Sequence, residues 1–265
     1  MTSQHLSAKN VISGYHQKMI VNDISINIPP HKISVIIGAN ACGKSTLLKT
    51  LSRLIPAQSG HITLNDQHLS QIKPKFLAQK LGLLPQSPIV PEGITVADLV
   101  SRGRFPYQTL LKGLGHEDFK AVKEALDIMG ISDLSDCSVD ELSGGQRQRV
   151  WIALALAQQT DILLLDEPTT FLDVAYQIEI LDLLTDLNKK RKTTIVMVLH
   201  DINLSARYAD YIFALNKGKL IAEGTPDEVI TSDLIKEVYN LDCMVIEDPI
   251  SKTPLIIPRG RHHNC

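Results

Sequence analysis

The first part of the chain alternates apolar and polar residues. Ile24, Ile26 and Ile28 are each separated by one polar residue. This period of two predicts a half-buried antiparallel strand within residues 20–28, and another strand precedes it near residues 11–15. We therefore expect the chain to begin with a small antiparallel β structure.

Further along, short apolar runs alternate with stretches of helical spacing. Runs of four or five apolar residues predict buried strands, and apolar residues at a spacing of about 3.6 predict amphipathic helices. The predicted strands cover 33–37, 61–64, 81–84, 162–165 and 195–199, and the predicted helices cover 96–104, 117–129, 144–158 and 174–187. Strands that alternate with helices form parallel sheets, so we expect an α/β fold with a helical block inserted between Gln86 and Asp161.

The composition is that of an ordinary soluble globular protein, with 44% hydrophobic and 21% charged residues among 265. A net charge of −2 argues against a general nucleic-acid binder, because such proteins carry a basic excess. The polar start of the chain lacks the apolar core of a signal peptide. No apolar run approaches the ~18 residues of a membrane span, so we expect membrane association to depend on a partner protein.

The four cysteines are scattered, which argues against disulfides or a structural zinc site and favours a reducing cytoplasm. Cys42 is either a small residue that fits its turn or an oxidation-sensitive thiol. The segment His262-His263-Asn264-Cys265 is either a solvated tail or a metal-binding cluster.

A phosphate-binding pattern follows the predicted strand at 33–37. It consists of Gly38, Ala39, Asn40, Ala41, Cys42, Gly43, Lys44, Ser45 and Thr46, and helix-favouring residues come next. Between a strand and a helix, G-x-x-x-x-G-K-S/T predicts a loop whose backbone N–H groups converge on an anion. The helix dipole adds about half a positive charge. Lys44 would supply a full charge to the outer phosphates, and the Ser45 hydroxyl would be a ligand for Mg²⁺.

Two carboxylates, Asp166 and Glu167, follow the predicted strand at 162–165. In parallel α/β sheets ligands bind at the carboxyl ends of the strands, where the phosphate loop also lies. Adjacent residues cannot face one ligand in the same way, so we predict two roles. Asp166 would hold Mg²⁺, directly or through water, and Glu167 would accept a proton from the attacking water. Without the phosphate loop, the pair would fit a strand that simply ends in a polar turn.

Other polar residues also stand at the ends of predicted elements. His200 follows the strand at 195–199, and we predict that it contacts the γ-phosphate. Gln86 follows the strand at 81–84 and is a candidate for sensing Mg²⁺ and water. Ser143 is a candidate N-cap for the next predicted helix, where two glycines expose backbone N–H groups. Such a helix start could serve the nucleotide of another subunit, or it could be a capped helix start without a ligand.

Taken in order, GANACGKST, Gln86, LSGGQ, ILLLDEP, Asp173 and His200 resemble the nucleotide-binding subunit of an ABC transporter over almost the whole chain. The resemblance implies a P-loop NTPase with a RecA-like parallel sheet core, an N-terminal antiparallel β subdomain and an inserted α-helical subdomain. In this single ABC ATPase domain, residues 1–86 and 160–265 would form the catalytic core with the β subdomain, and 87–159 the helical subdomain. A head-to-tail dimer is also implied, in which the phosphate loop of one copy and Ser143 to Gly145 of the other enclose each ATP.

The resemblance assigns roles to the remaining residues. Tyr15 would stack on adenine, and Asp173 would lie at the dimer seam. The catalytic residues would be Glu167, His200 and Gln86, and Mg²⁺ would be held by Ser45, Gln86 and Asp166. ATP would be bound by Tyr15, Gly38, Ala39, Asn40, Ala41, Cys42, Gly43, Lys44, Ser45, Thr46, Ser143, Gly144, Gly145, Gln146 and Asp173.

Two loop positions depart from the family pattern. The family usually has Pro at position 39 and Gly at position 41, whereas this chain has alanine at both. Because alanine restricts positive φ, we expect either a negative φ at Ala41 or slight strain. Function should survive, since both glycines, the lysine and the serine of the pattern are present.

Segments within 84–86, 100–106, 146–153 and 169–173 are similar to the ATPases of iron–siderophore importers, whose relatives handle haem and vitamin B12. This similarity implies a peripheral subunit at the cytoplasmic face of the cell membrane, two integral-membrane permease subunits and a separate substrate-binding protein. No nucleic-acid partner is implied. The permease would dock at residues 96–107. The alternatives are a haem or vitamin B12 importer ATPase, an exporter ATPase, and a soluble ABC ATPase that works without a permease.

Overall fold

The computed structural model of the protein describes residues 4–16, 18–86, 92–109, 113–170 and 172–260. The histidine-rich segment at 262–265 lies outside the described residues. The chain divides into two compact units, the first made of Met1–Leu69 with Thr194–Cys265 and the second of Ser70–Thr193. The domain boundaries expected from the resemblance stay predictions.

Strands and helices alternate through most of the chain. In chain order, the strands of the described residues are β1 (Leu6–Tyr15), β2 (Lys18–Asn27), β3 (Ile33–Gly38), β4 (Ser59–Leu64), β5 (Gln67–His68), β6 (Leu81–Leu84), β7 (Ile162–Asp166), β8 (Thr194–Val198), β9 (Tyr211–Asn216), β10 (Lys219–Gly224), β11 (Cys243–Glu247) and β12 (Pro254–Pro258). The α-helices are α1 (Lys44–Leu51), α2 (Pro74–Ala78), α3 (Val96–Ser101), α4 (His116–Ile128), α5 (Gly144–Ala157), α6 (Val174–Arg191), α7 (Ile202–Tyr208), α8 (Pro226–Val229) and α9 (Ser232–Tyr239). None of the helices in the described ranges has both the length and the apolar character that a membrane crossing requires.

The first unit contains two sheets and a hairpin. β3 lies between β8 and β9 and runs parallel to both, and β10 is antiparallel to β9. Every residue of β3 is buried, as its continuous apolar run predicts. β1 pairs with β2 and β4 in an antiparallel sheet, which confirms the half-buried strands predicted near the start of the chain. β11 and β12 form a separate antiparallel hairpin.

The second unit combines a parallel strand pair with helices. β6 and β7 pair in parallel, and α3, α4 and α5 pack against one another. The predicted helix at 96–104 ends early, because α3 stops at Ser101 and a 3₁₀ segment follows over Arg102–Tyr107. A Cβ at Gly103 would lie 2.3 Å from the Leu154 carbonyl oxygen, and Pro106 offers no N–H, so tight packing and proline favour the shorter turns.

Candidate active site

The loop between β3 and α1 has the form that a phosphate loop needs. Gly38 and Gly43 have φ values of 150° and 110°, and Gly43 is the N-cap of α1. A Cβ at position 38 would lie 2.3 Å from the Leu215 carbonyl oxygen and 2.6 Å from Cys42 Sγ, so only glycine fits there. The loop therefore leads directly into a helix N-terminus, as the pattern predicts.

Lys44 lies folded against this loop. Its side chain is buried, and Nζ donates to the carbonyl oxygens of Gly38 at 2.7 Å and Ala39 at 3.0 Å. A buried ammonium group is costly without hydrogen-bond partners, and these two carbonyls satisfy it. The structure thus holds a positive charge at the loop.

Ala41 adopts the left-handed conformation, with φ of 61°. Of the two expectations for this position, the negative φ is wrong and the strained conformation is what the structure has. An L-residue other than glycine pays roughly 1–2 kcal/mol for this region of φ/ψ space. Cys42 N donates to the Ala39 carbonyl oxygen at 3.3 Å, which closes a four-residue turn with Ala41 in the third position, where a type II turn requires a positive φ.

We predict that Ala41→Gly raises the free energy of unfolding by about 0.5–1 kcal/mol. The substitution removes the strain of a positive φ from the folded state, and this gain exceeds the cost of the greater entropy that glycine gives the unfolded chain. The side chain of Ala41 is exposed, so no apolar contact is lost. Ala39→Gly is the matched control, since Ala39 lacks a positive φ and should lose stability. Urea unfolding followed by circular dichroism measures both. A less stable Ala41→Gly variant would contradict the strain assignment.

Cys42 lies in the same loop and is buried. Burial raises the pKa of its thiol above the ordinary value, and the charge of Lys44 only partly opposes this. Because the thiolate is the form that oxidants attack, the environment favours a small residue that fits the turn over an oxidation-sensitive thiol.

Tyr239 contacts the loop although no sequence pattern pointed to it. Tyr239 is the last residue of α9, and its hydroxyl oxygen accepts a hydrogen bond from Gly38 N at 2.8 Å. Burial raises the pKa of this phenol, so the hydroxyl stays protonated. The contact joins residues 201 positions apart, which is why local periodicity could not reveal it.

His200 and Tyr15 belong to the same unit as the loop. β3 and β8 are paired in parallel with Ile36 opposite Val198, so His200 and Gly38 leave the same edge of the sheet. The His200 side chain is exposed just after β8. Tyr15 ends β1 and is 45% exposed, so it is accessible to a ligand.

In the second unit, Glu167 is held by two side chains. Gln86 Nε2 donates to Glu167 Oε2 at 2.6 Å, and Thr170 Oγ1 donates to the same oxygen at 3.0 Å. Glu167 is nearly buried and has a φ of 55°, an unusual conformation that concentrates at functional sites. Asp166 is buried at the end of β7, directly before it. The structure therefore brings together Gln86 and Glu167, and it adds Thr170, which sequence reasoning missed.

The start of α5 is capped as predicted. Ser143 Oγ accepts from Gln146 N at 3.3 Å, and Gln146 Oε1 accepts from Ser143 N at 3.0 Å, which is a complete capping box. Ser143 and Gly144 are exposed, and a Cβ built on Gly144 would meet nothing within 4 Å among the described residues. Asp173 is the N-cap residue of α6. Ser143 and Gly144 therefore present the N-terminus of α5 at the surface of their unit, where an anion could bind.

The chain is similar to known proteins along nearly its whole length. Residues 21–170 match the ABC transporter family. The Ferric enterobactin transport ATP-binding protein FepC of Escherichia coli (strain K12) is 47% identical over 256 residues, or 97% of this chain and 94% of FepC. The Iron(3+)-hydroxamate import ATP-binding protein FhuC of Bacillus subtilis (strain 168) is 47% identical over 252 residues, or 95% of this chain and 94% of FhuC.

Solved structures agree with this similarity. An ABC transporter in an inward-facing conformation has a chain that is 27% identical with a TM-score of 0.84, and the match covers 98% of this chain and 99% of that one. A dimeric, post-hydrolysis ATP-binding cassette bound to ADP and Pi is 28% identical with a TM-score of 0.73, covering 83% and 98%. The chain belongs to the ABC transporter family. It has the P-loop α/β fold of that family's ATPase cassette, as the sequence predicts.

Proposed function

We propose that this protein is the ATP-hydrolysing subunit of an importer for an iron–siderophore complex. The observation that carries the proposal is 47% identity over nearly full length to both FepC and FhuC, which by their names serve ferric enterobactin and iron(3+)-hydroxamates. Equal identity to ATPases for two different iron chelates supports the class of cargo rather than one chelate. Selection of the chelate then belongs to the permease and the substrate-binding protein, and this subunit acts at the cytoplasmic face of the membrane.

The site residues fit this role. The phosphate loop with Lys44 would bind the triphosphate, Tyr15 would stack on adenine, and His200 would contact the γ-phosphate. Ser143 to Gln146 and Asp173 would complete the site from a second copy of the chain. The dimeric, nucleotide-bound cassette among the solved structures supports a second copy of the chain as the partner.

Magnesium fits the donors that the chain offers. A hydroxyl at Ser45, an amide oxygen at Gln86 and a buried carboxylate at Asp166 are hard oxygen ligands of the kind this cation prefers. When bound, Mg²⁺ would neutralise negative charge on the outer phosphates.

Hydrolysis would depend on Glu167 as the proton acceptor for the attacking water. Gln86 and Thr170 hold one of its carboxylate oxygens, so the side chain is oriented before the substrate arrives. ATP shared between two subunits would favour a closed dimer, and loss of phosphate would reopen it. A difference of roughly 5 kcal/mol in affinity between the open and closed states is enough to drive such a switch. The segment at 96–107 would carry this motion to the permease.

The test is growth of the deleted host on individual iron–siderophore complexes, on haem and on vitamin B12, with wild-type and Glu167→Gln chains as complements. We expect growth on at least one iron–siderophore complex to need the wild-type chain, and the chain to co-purify with two polytopic membrane proteins. Loss of growth only on haem or vitamin B12 would reassign the cargo. Normal growth on every source, together with recovery of the chain on ribosomes or DNA, would refute a transport role.

A further inference from the structure

The helix that starts at the signature sequence contacts the turn that carries Glu167. Gln148, one turn into α5, donates from Nε2 to the carbonyl oxygen of Pro168 at 2.7 Å. Pro168 is buried, so its carbonyl needs a donor from the protein. Gln148 provides that donor next to the residue whose backbone has the unusual φ of 55°.

The turn itself is short and closed on its own atoms. Thr170 N donates to the Glu167 carbonyl oxygen at 3.3 Å, and the Thr170 hydroxyl donates to the Glu167 carboxylate at 3.0 Å. A movement of Pro168 must therefore also move the carboxylate of Glu167. The Gln148 side chain is a link between α5 and this carboxylate.

The same face of α5 also contacts α6, which follows the turn. Arg149 forms an ion pair with Glu179 of α6, and a Cβ on Gly145 would lie 3.7 Å from the Tyr176 ring. The start of α5 therefore contacts both the Glu167 turn, at Pro168, and the helix that follows this turn. All of these residues belong to the second unit.

We propose that Gln148 is a positioning residue that couples the two ATP sites of the dimer. This inference rests on the proposed function, in which the start of α5 binds the ATP held by the partner copy while Glu167 acts on the ATP held by its own chain. Engagement of the partner's ATP by Ser143 then sets the position of α5. Through Gln148 and Pro168, that position sets the carboxylate that hydrolyses the other ATP.

The test uses full-length chains with two different affinity tags, purified as mixed dimers through both tags. One copy keeps Glu167 and is the active copy, and the other carries Glu167→Gln, so only one site can turn over. Gln148→Met is placed either in the active copy or in the inactive copy. Methionine keeps the length of the side chain and removes the donor.

We expect the turnover rate to fall about fivefold to tenfold when Gln148→Met is in the active copy, the size of effect that one lost buried hydrogen bond can produce. The ATP dissociation constant should stay within about twofold, because no nucleotide contact is removed. The same substitution in the inactive copy should leave the rate unchanged. A rate that falls only when Gln148→Met is in the inactive copy would mean that Gln148 acts on the partner's nucleotide, and would overturn the proposal. Equal effects in the active and the inactive copy, or no effect in either, would also overturn it.

Gln79→Met is the matched control. Gln79 Nε2 donates to the carbonyl oxygen of another proline, Pro106, at 2.8 Å, away from Glu167. The Gln79→Met substitution should leave the single-site rate unchanged. Similar melting temperatures for the Gln79→Met and Gln148→Met variants would exclude a folding defect.

Gln148→Asn provides a second test, because the amide of the shorter asparagine cannot reach Pro168. This substitution should also lower the rate only when it is in the active copy. If a dimer with Glu167→Gln in both copies hydrolysed ATP normally, the catalytic assignment and this inference would both fail. If that dimer were inactive and Gln148→Met had no effect in the mixed dimers, only this inference would fail.

Discussion

Replacing Glu167 by glutamine should lower the ATPase rate at saturating ATP by about a hundredfold or more, the range that loss of a general base produces. An amide cannot accept the proton of the attacking water at neutral pH. The substitution is otherwise conservative, because the glutamine carbonyl oxygen can still accept the hydrogen bonds that Gln86 and Thr170 donate. We therefore expect ATP affinity within a few-fold of the wild type. Phosphate release and equilibrium binding measure the two quantities.

The Glu167→Gln variant should also accumulate dimers with ATP, since the closed state forms but does not turn over. Size-exclusion chromatography with and without ATP detects them. Glu124→Gln is the control, because Glu124 pairs with Arg191 on the surface of the unit and should leave both rate and association unchanged. Rapid turnover by the Glu167→Gln variant would show that another group accepts the proton.

Local pattern was enough to predict most elements up to His200. The buried strands β3, β6 and β7 have continuous apolar runs, and α4 and α5 follow their helical spacing within one or two residues. The pairing of Gln86 with Glu167 could be expected as well, because each lies two residues beyond the paired residues Leu84 and Leu165 of neighbouring parallel strands. Chemistry at strand ends is predictable when the sheet is parallel.

The elements after His200 were not predicted, although some of the signal was present. β9 carries an apolar run, and a glycine at position 218 marks the turn to β10. In the structure Lys217 and Gly218 both have positive φ, as a tight hairpin turn requires. Other features had no local signal. The hydrogen bond from Gly38 to Tyr239 and that from Gln148 to Pro168 depend on tertiary packing, and an alanine at position 41 gives no signal of a positive φ.

Replacing Lys44 by alanine should weaken ATP binding by about tenfold to a hundredfold, the range expected for losing a charged hydrogen-bond donor. In the structure the ammonium group is held by the Gly38 and Ala39 carbonyl oxygens, so the charge is already at the loop before the triphosphate binds. The substitution removes that charge. It also leaves the Gly38 and Ala39 carbonyl oxygens without the ammonium group that offsets their negative dipole ends. The loss of the charge and the unpaired carbonyl oxygens both weaken ATP binding.

Calorimetric titration with ATP measures this loss. Lys49→Ala is the control, because Lys49 lies in the last turn of the same helix. This substitution removes an equal charge at a position farther from the loop. Combining Lys44→Ala with Glu167→Gln adds a second readout, since the ATP-dependent dimer of the Glu167→Gln variant should disappear when the loop no longer holds the triphosphate. If the double variant still dimerised with ATP and bound it with wild-type affinity, the phosphates would have to bind elsewhere. The loop between β3 and α1 would then be a structural turn rather than the nucleotide site.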